Sequence, residues 1–203
     1  MKKTILATLL LSICGLASAD VKNTYDFVDV GYTGVTYDEV DLTLNGFVIE
    51  ASKLISENAF VTGQWSSVDD SGIETGLAYD INIDQFRLSI GYRHGIAPST
   101  DLYGQLGYVR EKYNENLEFQ GIPYSESDSN DGYLLKVGLK HSFGRFEGGI
   151  FAEHLDGGGS EVDATTLIGV DARIKFTNRF HGVASYAKES DIAIYKIGVS
   201  YAF

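Results

Sequence analysis

Apolar and polar positions alternate with period two along most of this chain. Between 132 and 142, Tyr133, Leu135, Val137 and Leu139 share one face, while Lys136, Gly138 and Lys140 share the other. Between 164 and 176, Ile168, Val170, Ala172 and Ile174 oppose Gly169, Asp171, Arg173 and Lys175. Such alternation marks a β-strand with one apolar face. Ten segments read this way, at 24–34, 40–53, 59–68, 84–96, 102–112, 132–142, 145–154, 164–176, 180–188 and 192–203. Short turns carry Ser56-Glu57-Asn58, Pro98 to Asp101, Phe143-Gly144-Arg145 and Thr177-Asn178-Arg179. They alternate with mostly longer connections at 35–39, 69–83, 113–131, 155–163 and 189–191. Residues 72–83 alternate too, and read as an extension of the third hairpin, continuous with the strand at Phe86.

The start of the chain sets the compartment. Lys2 and Lys3 precede an apolar run from Ile5 to Leu11, and Ala17-Ser18-Ala19 offers small residues before Asp20. This is the pattern of a secretory signal peptide over residues 1–19, cut after Ala19, with residues 20–203 as a single domain. The run from Leu11 to Cys14 faintly resembles a lipobox, but Ile13 is bulky where a small residue is wanted. Cys14 is the one cysteine, so the exported domain holds no disulfide and depends on a hydrogen-bonded framework. With 2 prolines and 13 Tyr and 11 Phe, the composition is that of an all-β chain.

The segments are mostly the ~9–11 residues that a tilted transmembrane strand requires. Short turns at one end and longer loops at the other suit a single antiparallel transmembrane β-barrel of ten strands, with eight and twelve as the alternatives. Alternation is symmetric to inversion, so a soluble β-sandwich would show the same period. The signal peptide, the terminal Phe203 and the turn–loop asymmetry select the membrane. The apolar faces then meet lipid, and Tyr25, Tyr92, Tyr108, Tyr133, Phe176, Phe180, Tyr186 and Tyr201 form aromatic girdles. The polar faces line the lumen, where Asp29, Glu50, Glu147, Glu153 and Asp171 face Arg87, Arg93, Lys136, Lys140, Arg173, Lys175 and Lys196. Buried ions must pair to offset desolvation, so the expected lumen is plugged rather than open.

Charge locates the exposed surface. Removing Lys2 and Lys3 leaves 14 basic against 28 acidic residues, a net charge of −14. Nucleic acid is thereby excluded as a partner. Most acids fall in the longer connections, expected outside the cell. Among them Glu126, Asp128 and Asp131 are candidate ligands for a divalent cation bridging to lipopolysaccharide, although the run from Ser125 to Asp131 lacks EF-hand spacing. His154 with Asp156 is the one histidine–acid pair placed at the expected outer rim. No nucleophile motif, HExxH or phosphate-binding loop accompanies it, so neither catalysis nor a cofactor is expected.

The last strand closes on Phe203, with Ile197, Val199 and Tyr201 on the same apolar face. This ending resembles the C-terminal signature of bacterial outer-membrane barrels. The resemblance implies that these four residues are the signal read by the barrel-assembly machinery. The opening strand Tyr25 to Tyr32, the hairpin at Ser56-Glu57-Asn58 and the stretch Ser89 to Val109 extend the likeness to the whole chain. The chain resembles the small porin-like outer-membrane β-barrel proteins of Gram-negative bacteria. That implies a monomer in the outer membrane, surrounded by lipid and lipopolysaccharide. Its expected role is envelope structure or surface contact through the acidic loops, the alternative being a narrow channel for small solutes or ions.

Overall fold

The computed structural model describes residues 23–74, 76–157 and 164–203. The expected signal peptide lies outside the described residues, as do Glu161 and Asp163 of the acidic rim. Ten strands follow one another: β1 (Phe27–Tyr37), β2 (Leu42–Leu54), β3 (Ala59–Glu74), β4 (Leu77–Ala97), β5 (Thr100–Phe119), β6 (Ile122–Phe143), β7 (Phe146–Asp156), β8 (Thr165–Lys175), β9 (Phe180–Glu189) and β10 (Ile192–Ala202). Each pairs antiparallel with its sequence neighbours, and β1 pairs with β10 from Phe27↔Ala202 to Tyr37↔Ile192. The sheet is therefore a closed barrel, which removes the edges that an open sheet would expose. The tight turns lie at the end that carries the start of β1 and the close of β10, where the Phe203 amide donates to the Asp26 carbonyl at 3.3 Å.

The expected ten segments all form strands, but two long connections are strands as well. The hairpin extension expected over 72–83 is present, and the expected loop 113–131 continues the ladder with it, from Glu74↔Leu77 to Leu77↔Phe119 to Phe119↔Ile122. The β5–β6 hairpin turns on Gln120 and Gly121, with φ of 51° and 78°. Paired positive φ values are the geometry of a type I′ turn, whose twist matches the flanking strands and lets pairing run to the tip. Pairing of β2 with β3 starts at Asn45↔Asp69, and that of β6 with β7 at Tyr133↔Asp156. Above those levels β3, β4, β5 and β6 stand clear of the wall as a four-stranded sheet. At ~3.4 Å per residue, β5 continues for roughly 30 Å of strand beyond Arg110.

The outer face of the wall is apolar. Ile168 is 71% exposed, Val199 63%, Ile197 62% and Val137 52%, whereas Glu147 on the inner face is 2% exposed. Burial of ions with exposure of aliphatic side chains is the arrangement of a protein dissolved in lipid. Tyr92, Tyr133, Phe180 and Tyr201 face outward among the girdle residues, as expected. Tyr25 does not: it is 3% exposed and lies inside the barrel. Its parity accounts for this, since Tyr25 and Phe27 alternate in phase with the inward Asp29. The first strand accordingly begins at Phe27 rather than at residue 24, because the preceding residues leave the wall and enter the lumen.

Candidate functional site

Three layers fill the lumen. At the end with the tight turns, Asn23, Thr24 and Tyr25 fold back into the mouth. The Asn23 side-chain amide donates to the carbonyls of Ser99 at 3.4 Å and Lys140 at 3.2 Å. The Thr24 amide donates to Glu147 Oε2 at 2.7 Å. Tyr25 packs on Phe60 with ring centroids 4.9 Å apart, and Tyr103 completes a buried cluster flanked by Leu54 and Phe151. Two of these rings occupy space left by glycines directly across the ladder. A Cβ at Gly91 would collide with the Phe60 ring, and one at Gly138 with the Tyr103 ring. Glycine opposite an aromatic ring thus lets the ring lie flat against the wall instead of blocking its own strand pair. Arg93 and Lys140 each sit 4.8 Å from the Tyr25 ring centroid, so the plug is held by cation–π contacts as well as packing. Arg93 also pairs with Asp101 at 3.5 Å.

The middle layer is ionic, around a cavity of about 190 Å³. Glu147 is its hub, with Lys140 at 3.6 Å, Arg173 at 3.7 Å and Lys175 at 3.8 Å. Asp29 receives Arg173 at 3.3 Å and Lys196 at 4.0 Å, and Glu50 receives Lys196 at 2.7 Å. Glu153 receives Arg87 at 2.8 Å and Lys136 at 3.0 Å. Arg173 further donates to the Ser200 hydroxyl and stacks 4.5 Å from the Phe27 ring. Asp171 lines the same cavity, and no basic side chain approaches within the 4.0 Å of an ion pair among the described residues. The twelve charges expected in the lumen therefore all stand on inner faces, and closure of the barrel joins eleven of them in ion pairs. Charges taken out of water are tolerated only when paired in this way.

The third layer departs from the polar lumen expected from alternation. Leu44, Val48, Val68, Val109, Leu134 and Leu167 point inward and are all at most 6% exposed. Apolar residues thus occupy both faces of the upper strands, a pattern whose period cannot reveal which face is the inner one. Above them the lumen widens into a vestibule of about 470 Å³ beneath the projecting sheet.

That sheet has two unlike faces. One carries a polar ladder. Asn82 donates to the Ser67 hydroxyl at 3.3 Å, Asn114 to Asn82 at 3.3 Å and Ser127 to Asn114 at 3.0 Å. The opposite face carries Tyr79, Ile81, Tyr113 and Leu117, all half-buried. At the tip, Ile73 is 78% exposed, Ile122 72% and Phe119 51%. Tyr124 donates to Glu126 at 3.0 Å, and that carboxylate pushes the phenol above its ordinary range.

The three candidate cation ligands are not brought together. Glu126 and Asp128 alternate onto one face of β6, whereas Asp131 lies on the other, paired with Arg110 at 3.8 Å and accepting from the Tyr108 hydroxyl. Among the described residues no cluster of three His, Cys, Asp or Glu side chains is placed to hold a metal. His154 is also displaced from any cleft. Its parity is opposite to that of Glu153, so it faces outward, hydrogen-bonded to Thr166 at 2.9 Å and 6.0 Å from the Tyr133 ring.

Against known proteins, a family model described as the outer membrane protein beta-barrel domain matches residues 5–203. No curated protein matches the chain. Among solved structures the chain is similar to Ail, the attachment invasion locus protein of Yersinia pestis, with 17% identity, 89% of this chain and 99% of that one covered, and a TM-score of 0.47. It is also similar to the translocator domain of autotransporter NalP from Neisseria meningitidis, with 14% identity, 100% and 95% covered, and a TM-score of 0.49. A third likeness is to the KdgM porin in complex with disordered oligogalacturonate, with 13% identity, 86% and 99% covered, and a TM-score of 0.43.

Proposed function

The chain belongs to the outer membrane protein beta-barrel domain family, an integral β-barrel of the Gram-negative outer membrane, and on that premise we propose that it serves surface contact through its projecting sheet. The observation that carries this reading is the four-stranded extension of β3 to β6 with Ile73, Phe119 and Ile122 exposed at its tip. Short turns of such barrels lie in the periplasm and the longer elements outside the cell. Aliphatic and aromatic side chains on a tip that stands in water have no lipid to dissolve in, and such patches mark contact sites. The barrel itself acts as the anchor, non-catalytic and monomeric, with outer-membrane lipid and lipopolysaccharide around its wall. The lumen below the sheet supports the same reading. A mouth packed by Tyr25, Phe60 and Tyr103 beneath a layer of paired ions is the arrangement of a plugged lumen.

Two measurements test it. In planar bilayers the purified barrel gives no stable unit conductance; reproducible unit steps would make it a channel and overturn the closed-lumen reading. Bacteria displaying the barrel adhere to polystyrene more than cells without it. The triple substitution Phe119→Ser, Ile122→Ser, Ile73→Ser removes the gain while the protein still migrates differently boiled and unboiled on a gel. Adherence unchanged by that substitution would rule the tip out as the contact surface.

A further inference from the structure

The vestibule above the ionic layer is a cavity that the anchor role leaves without a task. We propose that it binds a small amphipathic organic cation, with the basic group against Glu111 and the apolar body among Val35, Val68, Ile83, Val109 and Ile194. Its volume of about 470 Å³ falls within the range of small-molecule pockets, and its wall combines apolar side chains with a few converging polar groups. Glu111 accepts a hydrogen bond from Gln85 Nε2 at 2.8 Å, and no basic side chain lies within ion-pair distance of it among the described residues. The lone basic group in the lining is Arg87, whose guanidinium is already engaged by Glu153 at 2.8 Å and by Gln85 Oε1 at 2.5 Å. The lining thus offers an unneutralised carboxylate and no available cation, which selects a positive ligand and rejects a negative one. Tyr37, also in the lining, presents an aromatic ring that favours the same charge. Glu115, Glu126 and Asp128 stand above Glu111 on the same face of the sheet, by strand parity, and would raise the local concentration of cations at the entrance.

The inference rests on the lumen being closed below, since a floor is what makes the vestibule a pocket rather than a pore entrance. The test uses the full folded chain in lipid nanodiscs with labelled methyl groups, and 4-phenylbutylamine as the probe. Titration should shift the methyls of Val35, Val68, Ile83 and Val109 saturably, and leave those of the lipid-facing Ile168 and Val170 on a non-saturating partition line. The anion 4-phenylbutyrate should bind about tenfold or more weakly, and Glu111→Gln should weaken the amine by about tenfold, the loss expected for one charge-assisted contact. Val109→Trp fills the cavity without touching the charge, and should abolish the saturable shifts in a barrel that remains heat-modifiable. Equal binding of amine and acid, or binding indifferent to both substitutions, would overturn the proposal. Absence of any saturable shift would also overturn it. A barrel that conducts ions in bilayers fails the closed-lumen reading, whatever the titration shows. One that neither conducts nor binds fails the vestibule alone.

Discussion

Replacing Glu147 by glutamine lowers the stability of the barrel by about 3–5 kcal/mol, the cost of leaving a buried charge without its partner. The effect is large because three cations converge on this one carboxylate. Lys140, Arg173 and Lys175 lie within 3.8 Å of it, and the side chain is 2% exposed, so water does not screen what glutamine leaves behind. Arg173 keeps Asp29 as a second partner at 3.3 Å, whereas Lys140 and Lys175 have no other carboxylate in ion-pair range among the described residues. The chain has one tryptophan, Trp65, on the outer face beside Phe47, so its fluorescence reports urea unfolding in lipid bilayers. A control is Asp131→Asn at the Arg110 pair, where both side chains are more than half exposed and the change should be about 1 kcal/mol or less. The same hub accepts the Thr24 amide, so Glu147→Ala should also speed hydrogen exchange at Thr24. A shift no larger than the control's would show that the ionic layer does not hold the lumen together.

Arginine at Val137 should cost about 2–4 kcal/mol in a bilayer, the penalty for a charge on the lipid face near mid-depth. Val137 is 52% exposed and lies on β6 between outward-facing Tyr133 and the turn end at Phe143, in the part of the strand that belongs to the wall. A neighbouring position makes the comparison sharp. Lys136, one residue earlier, already carries a charge without harm because it points the other way, to Glu153 at 3.0 Å. Arginine at Ile73, on the hairpin tip, should change stability by less than about 0.5 kcal/mol, as for ordinary surface substitutions. The measurement is again urea unfolding in bilayers. A Val137→Arg variant as stable as the parent would mean that this face does not meet lipid.

Much of this architecture is legible in the sequence, because a β-strand writes its two faces onto alternate residues. Parity sets Lys136, Lys140, Arg173 and Lys175 on the faces opposite their apolar neighbours, and the membrane reading turns those faces to the lumen. The same parity placed Tyr25 in phase with Asp29, and the aromatic-girdle assignment overrode a signal that was present. The projecting sheet was legible too. Leu77, Tyr79, Ile81 and Ile83 alternate, as do Tyr113, Leu117 and Phe119, and Gln120-Gly121 provides the turn. That alternation carries the expected hairpin extension over 72–83, whereas the acids and amides of 113–131 make that stretch read as a loop. Strands above the membrane face water on both sides of their ladder and need no apolar outer face. The vestibule was not legible, because Val35, Val68, Val109 and Ile194 differ in no local respect from lipid-facing aliphatics.

Period two and the turn spacing mark, without any structure, ten strand segments and the residues that share each face, and leave eight, ten and twelve barrel strands open. Each of those is a local property, set by neighbours a few residues apart. Only the tertiary structure decided which inward side chains meet. Asp29 and Arg173 are 144 residues apart and touch because the pairing of β1 with β10 closes the barrel and brings β1 within three strands of β8. Asn23 reaches Lys140 across 117 residues for the same reason. Closure and register fix those distances, and alternation carries no information about either, so the plug, the Glu147 hub and the cationic preference of the vestibule emerge only when the sheet is joined to itself.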